Sequence, residues 1–184
     1  MKITIKEMVL ISLFTSLTAI GAFLSIPLGN VPITLQNMFT ILAGLLLGPK
    51  LGALSQIVYV LLGLSGMRIF AGFSGGPQCI FKPSFGFLIG FIFAAYVVGK
   101  ISHGGKSIGF KRIFLATLAG TFVIYLFGLP YMYIILNNVM GKAVPMSTAI
   151  KTGYLIFLPG DMLKAILSSL VASRVVTKIN IVNP

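Results

Sequence analysis

Long apolar blocks, separated by short clusters of glycine, proline and charge, make up almost the whole chain. A membrane-crossing helix needs about 20 predominantly apolar residues, and the blocks predict six such helices. The first runs from about Lys6 to Ser25. Residues 31–66 form the next apolar region, about twice the length a bilayer requires, and Gly48, Pro49, Lys50, Leu51 and Gly52 break it in the middle. Two short spans joined at Lys50, Val31 to Gly48 and Leu51 to Gly66, are the economical reading, each roughly 25 Å long. The fourth span covers Pro83 to Gly99, and the fifth, Ile113 to Leu136, passes 24 residues without a charge. The sixth is the apolar run Tyr154 to Ala172, closing near Arg174 and Lys178. Residues 1–184 thus read as a single integral membrane domain, all-α, with six transmembrane helices.

Small and polar residues give several of these blocks a particular face. Ser12 and Ser16 stand four apart on the first helix, and Thr15 and Ala19 repeat the spacing, which lets another helix approach closely. Gly86, Gly90 and Ala94 place a similar seam on the fourth span. The connection Ile26 to Pro32 carries no charge and is broken by Pro27, Gly29, Asn30 and Pro32. The second span opens with Thr34, Gln36, Asn37 and Thr40, a polarity that belongs near water or a ligand. Gly66, Gly72, Gly75, Gly76 and Pro77 punctuate the loop from Ser65 to Lys82, beside Arg68, Ser74 and Gln78. Glycine lets such a backbone turn sharply and press close against a ligand.

Composition removes the soluble alternatives. With 57% hydrophobic and 9% charged residues and a mean hydropathy of +1.05, no soluble domain can be carved out. A net charge of +12 would suggest nucleic acid in a soluble chain, but here the basic residues cluster between apolar spans, where they orient a protein in a membrane. Nucleic acid is therefore set aside as a partner, and the lipid bilayer takes its place. Six spans put nine Lys/Arg on one side: Lys2, Lys6, Lys50, Lys100, Lys106, Lys111, Arg112, Arg174 and Lys178. Four fall on the other, Arg68, Lys82, Lys142 and Lys151, so both termini are expected in the cytoplasm of a multi-pass cell-membrane protein. The segments Thr34 to Asn37 and Ser65 to Lys82 then face outward, together with the outer half of the sixth helix.

Catalytic chemistry finds little to work with. Cys79 is the single cysteine, which excludes an internal disulfide and any cysteine metal cluster. Gly104, Gly105, Lys106 and Ser107 mimic the end of a phosphate-binding loop, but the first glycine of that motif would fall on Lys100 and no strand precedes it. His103 lacks partners for a metal. With no Walker motif, catalytic triad or metal cluster, no enzyme and no cofactor are expected. Transport energy would have to come from a partner or a gradient.

Candidate chemistry concentrates between Phe157 and Ile166. Glu7 and Asp161 are the only acidic residues of the chain, and Asp161 lies inside an apolar run. Lys164, three residues on, shares its helix face, so the two charges can partner instead of each facing hydrocarbon. Ser168 extends the same stripe. Pro159 cannot donate a backbone hydrogen bond and Gly160 has no side chain, which predicts a kink or interruption just where the charges begin. The pair is either a structural ion pair or a binding site; one strong acceptor and one strong donor in low-dielectric surroundings suit a small polar ligand entering from water.

Four segments occur in order along the chain: Val31-Pro32-Ile33-Thr34-Leu35-Gln36; Leu42-Ala43-Gly44 through Leu47-Gly48-Pro49-Lys50-Leu51-Gly52; Phe70-Ala71-Gly72-Phe73-Ser74-Gly75-Gly76; and Pro159-Gly160-Asp161 with Lys164. Together they resemble the BioY family, the biotin-specific substrate-binding (S) components of energy-coupling-factor (ECF) transporters. The resemblance implies an S-component bundle of six helices, biotin bound in an outward-facing cavity, and coupling to a membrane scaffold protein with paired ATPase subunits. It carries the ligand-contacting acid and base onto Asp161 and Lys164, the acid accepting a ureido N–H, and the glycine-rich loop onto Gly72, Gly75 and Gly76. That loop, Ile69 to Pro77, is expected to close over the ligand as a lid, with Gln36 and Ser74 as further polar contacts. Ser12 and Ser16 are expected to dock the scaffold. The chain departs from the family pattern at Lys82-Pro83-Ser84-Phe85-Gly86, where the family usually has glycine before the proline and a smaller residue in place of Phe85; Lys82 is then expected to offer a cation to the ligand's carboxylate.

Overall fold

The computed structural model describes residues 3–27, 31–104 and 109–178. Lys2, Gly29, Asn30, Gly105, Lys106 and Ser107, which entered the reading of loops and charges above, lie outside the described residues. The first helix, α1 (Ile5–Phe23), starts on a reciprocal cap. The Thr4 hydroxyl accepts the Glu7 N–H at 3.3 Å, and the Glu7 carboxylate accepts the Thr4 N–H at 2.7 Å, satisfying two donors that a helix start otherwise leaves orphaned. A two-residue ribbon follows, β1 (Ser25–Ile26) antiparallel to β2 (Ile33–Thr34), a small addition to the all-α expectation.

The next helix, α2 (Gln36–Leu64), doubles back on itself at Gly48 and Pro49. Gly48 has φ +79° and ψ −176°, a conformation that L side chains rarely adopt. Beyond the turn the arms press together until a Cβ on Gly52 would stand 2.9 Å from the Gly44 Cα. Thr40 donates to Gln56 at 3.0 Å and Gln36 to Tyr59 at 2.7 Å, partners that a straight helix would hold roughly 24 and 35 Å apart. The two arms therefore run antiparallel. A buried polar ladder joins them to α1: the fully buried Gln56 amide also donates to Thr18 at 3.3 Å and to Ser55 at 3.1 Å, and Thr15 donates to the Ser55 carbonyl at 2.9 Å.

Three further long helices complete the bundle: α3 (Phe85–His103), α4 (Phe110–Ile134) with a π turn running on to Val139, and α6 (Leu158–Lys178). The short α5 (Met146–Ile150) leads into α6 through a second π turn, Lys151–Leu155. Among the described residues five helices are long and apolar enough to cross a membrane, with α2 counted once. α3 packs against both α2 and α4, while α1 covers α2 and α6 closes against α4 and α2. Gly90 lets α3 reach α4 closely; a Cβ there would meet the Ile124 carbonyl at 2.9 Å, which is the seam expected of Gly86, Gly90 and Ala94. The break expected at Pro159 and Gly160 is a helix start rather than a kink. The chain turns at Ile156 and Phe157, and Pro159 stands in the first turn of α6, where a missing N–H costs nothing.

Candidate functional site

Asp161 occupies the first turn of α6, where the helix dipole favours a negative charge. Its side chain is 4% exposed and takes donors from three helices. On Oδ1 converge the Lys164 ammonium at 3.0 Å and the Asn37 amide nitrogen at 2.8 Å; on Oδ2 the Tyr125 hydroxyl donates. Asn37 comes from the start of α2 and Tyr125 from the middle of α4. Removing a carboxylate and an ammonium from water is costly, and charge-assisted hydrogen bonds of this kind are what offset it.

These groups form one wall of a cavity. Gln36, Asn37, Ser74, Lys82, Tyr125, Asp161 and Lys164 supply its polar lining, while Phe70, Phe85, Leu88 and Phe91 supply apolar surface. About 730 Å³ of space, open solvent included, lies between the walls. Five of the expected contacts are thus brought together: Asp161, Lys164, Gln36, Ser74 and Lys82.

Gln36 and Ser74 reach the cavity already engaged. The buried Gln36 amide donates to Tyr59, whose hydroxyl donates in turn to the Ile69 carbonyl at 2.9 Å, tying the glycine-rich loop to α2. Ser74 donates to the Ala71 carbonyl at 2.9 Å and bridges to Phe70 through the backbone, which holds the Phe70 ring inward, 3% exposed. Phe73, at the loop tip with φ +52°, stacks on Phe23 at the end of α1 with ring centroids 4.8 Å apart. Lys82 is exposed at the mouth of the cavity, after the 3-10 turn Pro77–Phe81.

The three loop glycines do not line the cavity. Gly72 and Gly76 have φ of +71° and +95°, Gly75 abuts the Met67 carbonyl, and the Gly76 N–H bonds the Gly63 carbonyl at 2.7 Å. They shape the loop that carries Ser74 and Phe70, in place of the direct approach expected of them. Ser12 and Ser16 also lie away from the cavity, on the exposed face of α1, their hydroxyls returned to the Met8 and Ser12 carbonyls. Thr15, by contrast, turns inward onto Ser55.

Sequence reasoning passed over two of the carboxylate's three partners as site residues. Asn37 left a trace, since it belongs to the unusually polar start of the second span. Tyr125 left none; it is one aromatic residue in a long apolar helix, distinguished only by what lies opposite it.

The family model of BioY matches residues 1–180. The chain belongs to the BioY family. A relative from Lysinibacillus sphaericus bearing the name Probable biotin transporter BioY is 39% identical over 168 residues, covering 91% of this chain and 85% of its own length. One of the same name from Pyrococcus horikoshii is 41% identical, covering 92% and 95%, and the Biotin transporter BioY of Thermotoga maritima is 35% identical over the same shares. Among solved structures, the S-component for biotin from an ECF-type ABC transporter, a crystal structure at 2.1 Å, superposes with a TM-score of 0.74 at 28% identity, covering 95% of this chain and 93% of that one. As a BioY protein built of apolar helices, the chain is a membrane protein. Among the described residues no cluster of His, Cys, Asp and Glu can hold a metal ion.

Proposed function

We propose that this BioY protein binds biotin from the cell exterior and passes it inward as the S component of an ATP-driven ECF transporter. The observation that carries the reading is the buried Asp161–Lys164 pair in the wall of a cavity otherwise lined by aromatic and aliphatic side chains. Biotin joins a polar ureido group, an apolar thioether ring and an acid tail. The cavity offers each a counterpart: the charged cluster, the Phe70, Phe85 and Phe91 wall, and Lys82 at the mouth. The names of its relatives and of its structural neighbour point the same way.

The finer arrangement follows from charge and packing. Counting each antiparallel arm of α2 as one crossing supports a reading of six, and the excess of Lys/Arg on one side supports placing both termini in the cytoplasm and the cavity outside. The loop Ile69 to Pro77 closes over the ligand, and the exposed face of Ser12 and Ser16 docks a membrane scaffold carrying paired ATPases. Labelled biotin should bind the purified protein tightly, competed by unlabelled biotin and not by thiamine or riboflavin. Competition by all three, or no binding, sinks the reading. On outward-facing vesicles, saturating biotin should slow proteolysis of the loop; unchanged cleavage removes the lid.

A further inference from the structure

The mouth of the cavity is carried by a turn that its own backbone cannot complete. In a 3-10 turn each carbonyl takes the N–H three residues on; in Pro77–Phe81 the Gly76 carbonyl accepts from Cys79 at 3.1 Å and the Cys79 carbonyl from Lys82 at 3.0 Å. The Ile80 carbonyl would need the N–H of residue 83, which is Pro83 and has none. Pro83 also disfavours a helical Lys82, whose backbone is extended at φ −84° and ψ 140°, and the turn ends there. The missing donor comes from α4: the Tyr131 hydroxyl donates to the Ile80 carbonyl. Tyr131 is itself held by α3. Its ring is tilted beside Phe85 with centroids 6.0 Å apart, and a Cβ on Gly86 would fall 2.2 Å from the Tyr131 Cβ, so glycine at 86 is what admits it. The turn and the residue after it supply two cavity-lining side chains, the buried Cys79 and the exposed Lys82.

We propose that Tyr131 is a positioning residue for ligand specificity: by supplying the donor that Pro83 lacks, it fixes the turn so that the Lys82 ammonium stands at the cavity mouth and meets the acid tail of the ligand. This inference rests on the biotin reading. Tyr131 does not line the cavity; it acts through the Ile80 carbonyl. Without its hydroxyl that carbonyl loses its donor, and the segment bearing Cys79 and Lys82 loses its tie to α4. Discrimination of a carboxylate from a neutral amide then weakens, while the rest of the ligand is held as before.

The test uses the full-length protein in detergent, with biotin and its carboxamide, which has the same shape without the charge, as probes. Wild type should prefer biotin by about fivefold, the scale of one exposed ion pair. Lys82→Gln should abolish that preference by weakening biotin alone. Tyr131→Phe, which keeps the ring, should cut the preference by about threefold with the carboxamide bound as in wild type, and in a Lys82→Gln background it should change the affinity for neither probe. Because Cys79 is the sole cysteine of the chain, its rate of maleimide labelling follows the turn directly, and in Tyr131→Phe that rate should rise by about threefold or more. A Tyr131→Phe protein that keeps the wild-type preference, or labels no faster, overturns the assignment. So does one that loses affinity for both probes in equal measure, the result expected of a tyrosine that only supports the fold. Retained preference in Lys82→Gln overturns it whatever the tyrosine variant does. Failure of wild type to bind either probe overturns this inference together with the biotin reading, whereas tight binding of both without preference removes this inference alone.

Discussion

The two acidic residues of this chain stand in the same local setting, the first turn of a helix, and do different things. Glu7, at the start of α1, folds back onto Thr4 and satisfies its own helix end. Asp161, at the start of α6, gathers side chains from α2, α4 and α6 and is buried in a cavity wall. The helix dipole welcomes a carboxylate in both places, so that contribution does not separate them. Burial and distant partners do. At the surface a capping carboxylate completes a helix; in the interior the same group organises other polar side chains, and the arrangement becomes a site because a cavity lies against it.

The sharpest break in this comparison is Asp161→Ala. It leaves Lys164 a buried cation without its partner, a loss on the scale of ~3–5 kcal/mol, so biotin binding should vanish and the thermal midpoint in detergent should fall. The shape-preserving Asp161→Asn, and Lys164→Ala, should each weaken binding by more than about tenfold; normal binding by both would make the pair structural. Next in size is Ser16→Trp on the outward face of α1. Biotin binding by the purified variant should match wild type while ATP-driven uptake in reconstituted vesicles is lost. If binding and uptake fall together, Ser16 packs inside the bundle.

Gln56 supplies a control cluster, because it is a buried, hydrogen-bonded polar group away from the cavity. Gln56→Leu strands the hydroxyl of Thr40, while Thr18 keeps its bond to the Phe14 carbonyl, at a cost of about 1–3 kcal/mol. The melting midpoint should drop, yet the folded fraction should keep wild-type affinity for biotin; a selective loss of affinity would mean that the ladder between α1 and α2 takes part in binding. The smallest effect is expected from Glu7→Gln. Melting should shift slightly or not at all, and biotin affinity should be unchanged.

Much of this was legible in the residues because it depends on near neighbours. Apolar blocks and their breaks predict where helices lie, and Gly48-Pro49 marks the place where α2 reverses. Asp161 and Lys164 could be paired on paper because three residues apart is a fixed relation on a helix. The same holds for their isolation in an apolar run, which singled them out as a polar site.

Tertiary structure alone decided which partners came to them. Asn37 lies 124 residues from Asp161 in sequence and Tyr125 lies 36 away, and no periodicity links such positions. It also decided that Thr15 turns inward while Ser12 and Ser16 stay outside, although all share one spacing rule. Likewise it made the loop glycines supports of Phe70 and Ser74 instead of cavity lining. The physical reason is common to all three. Residue spacing determines which side chains share a face, but which face meets which helix, and which distant donors reach a buried carboxylate such as Asp161, is set by how whole helices pack.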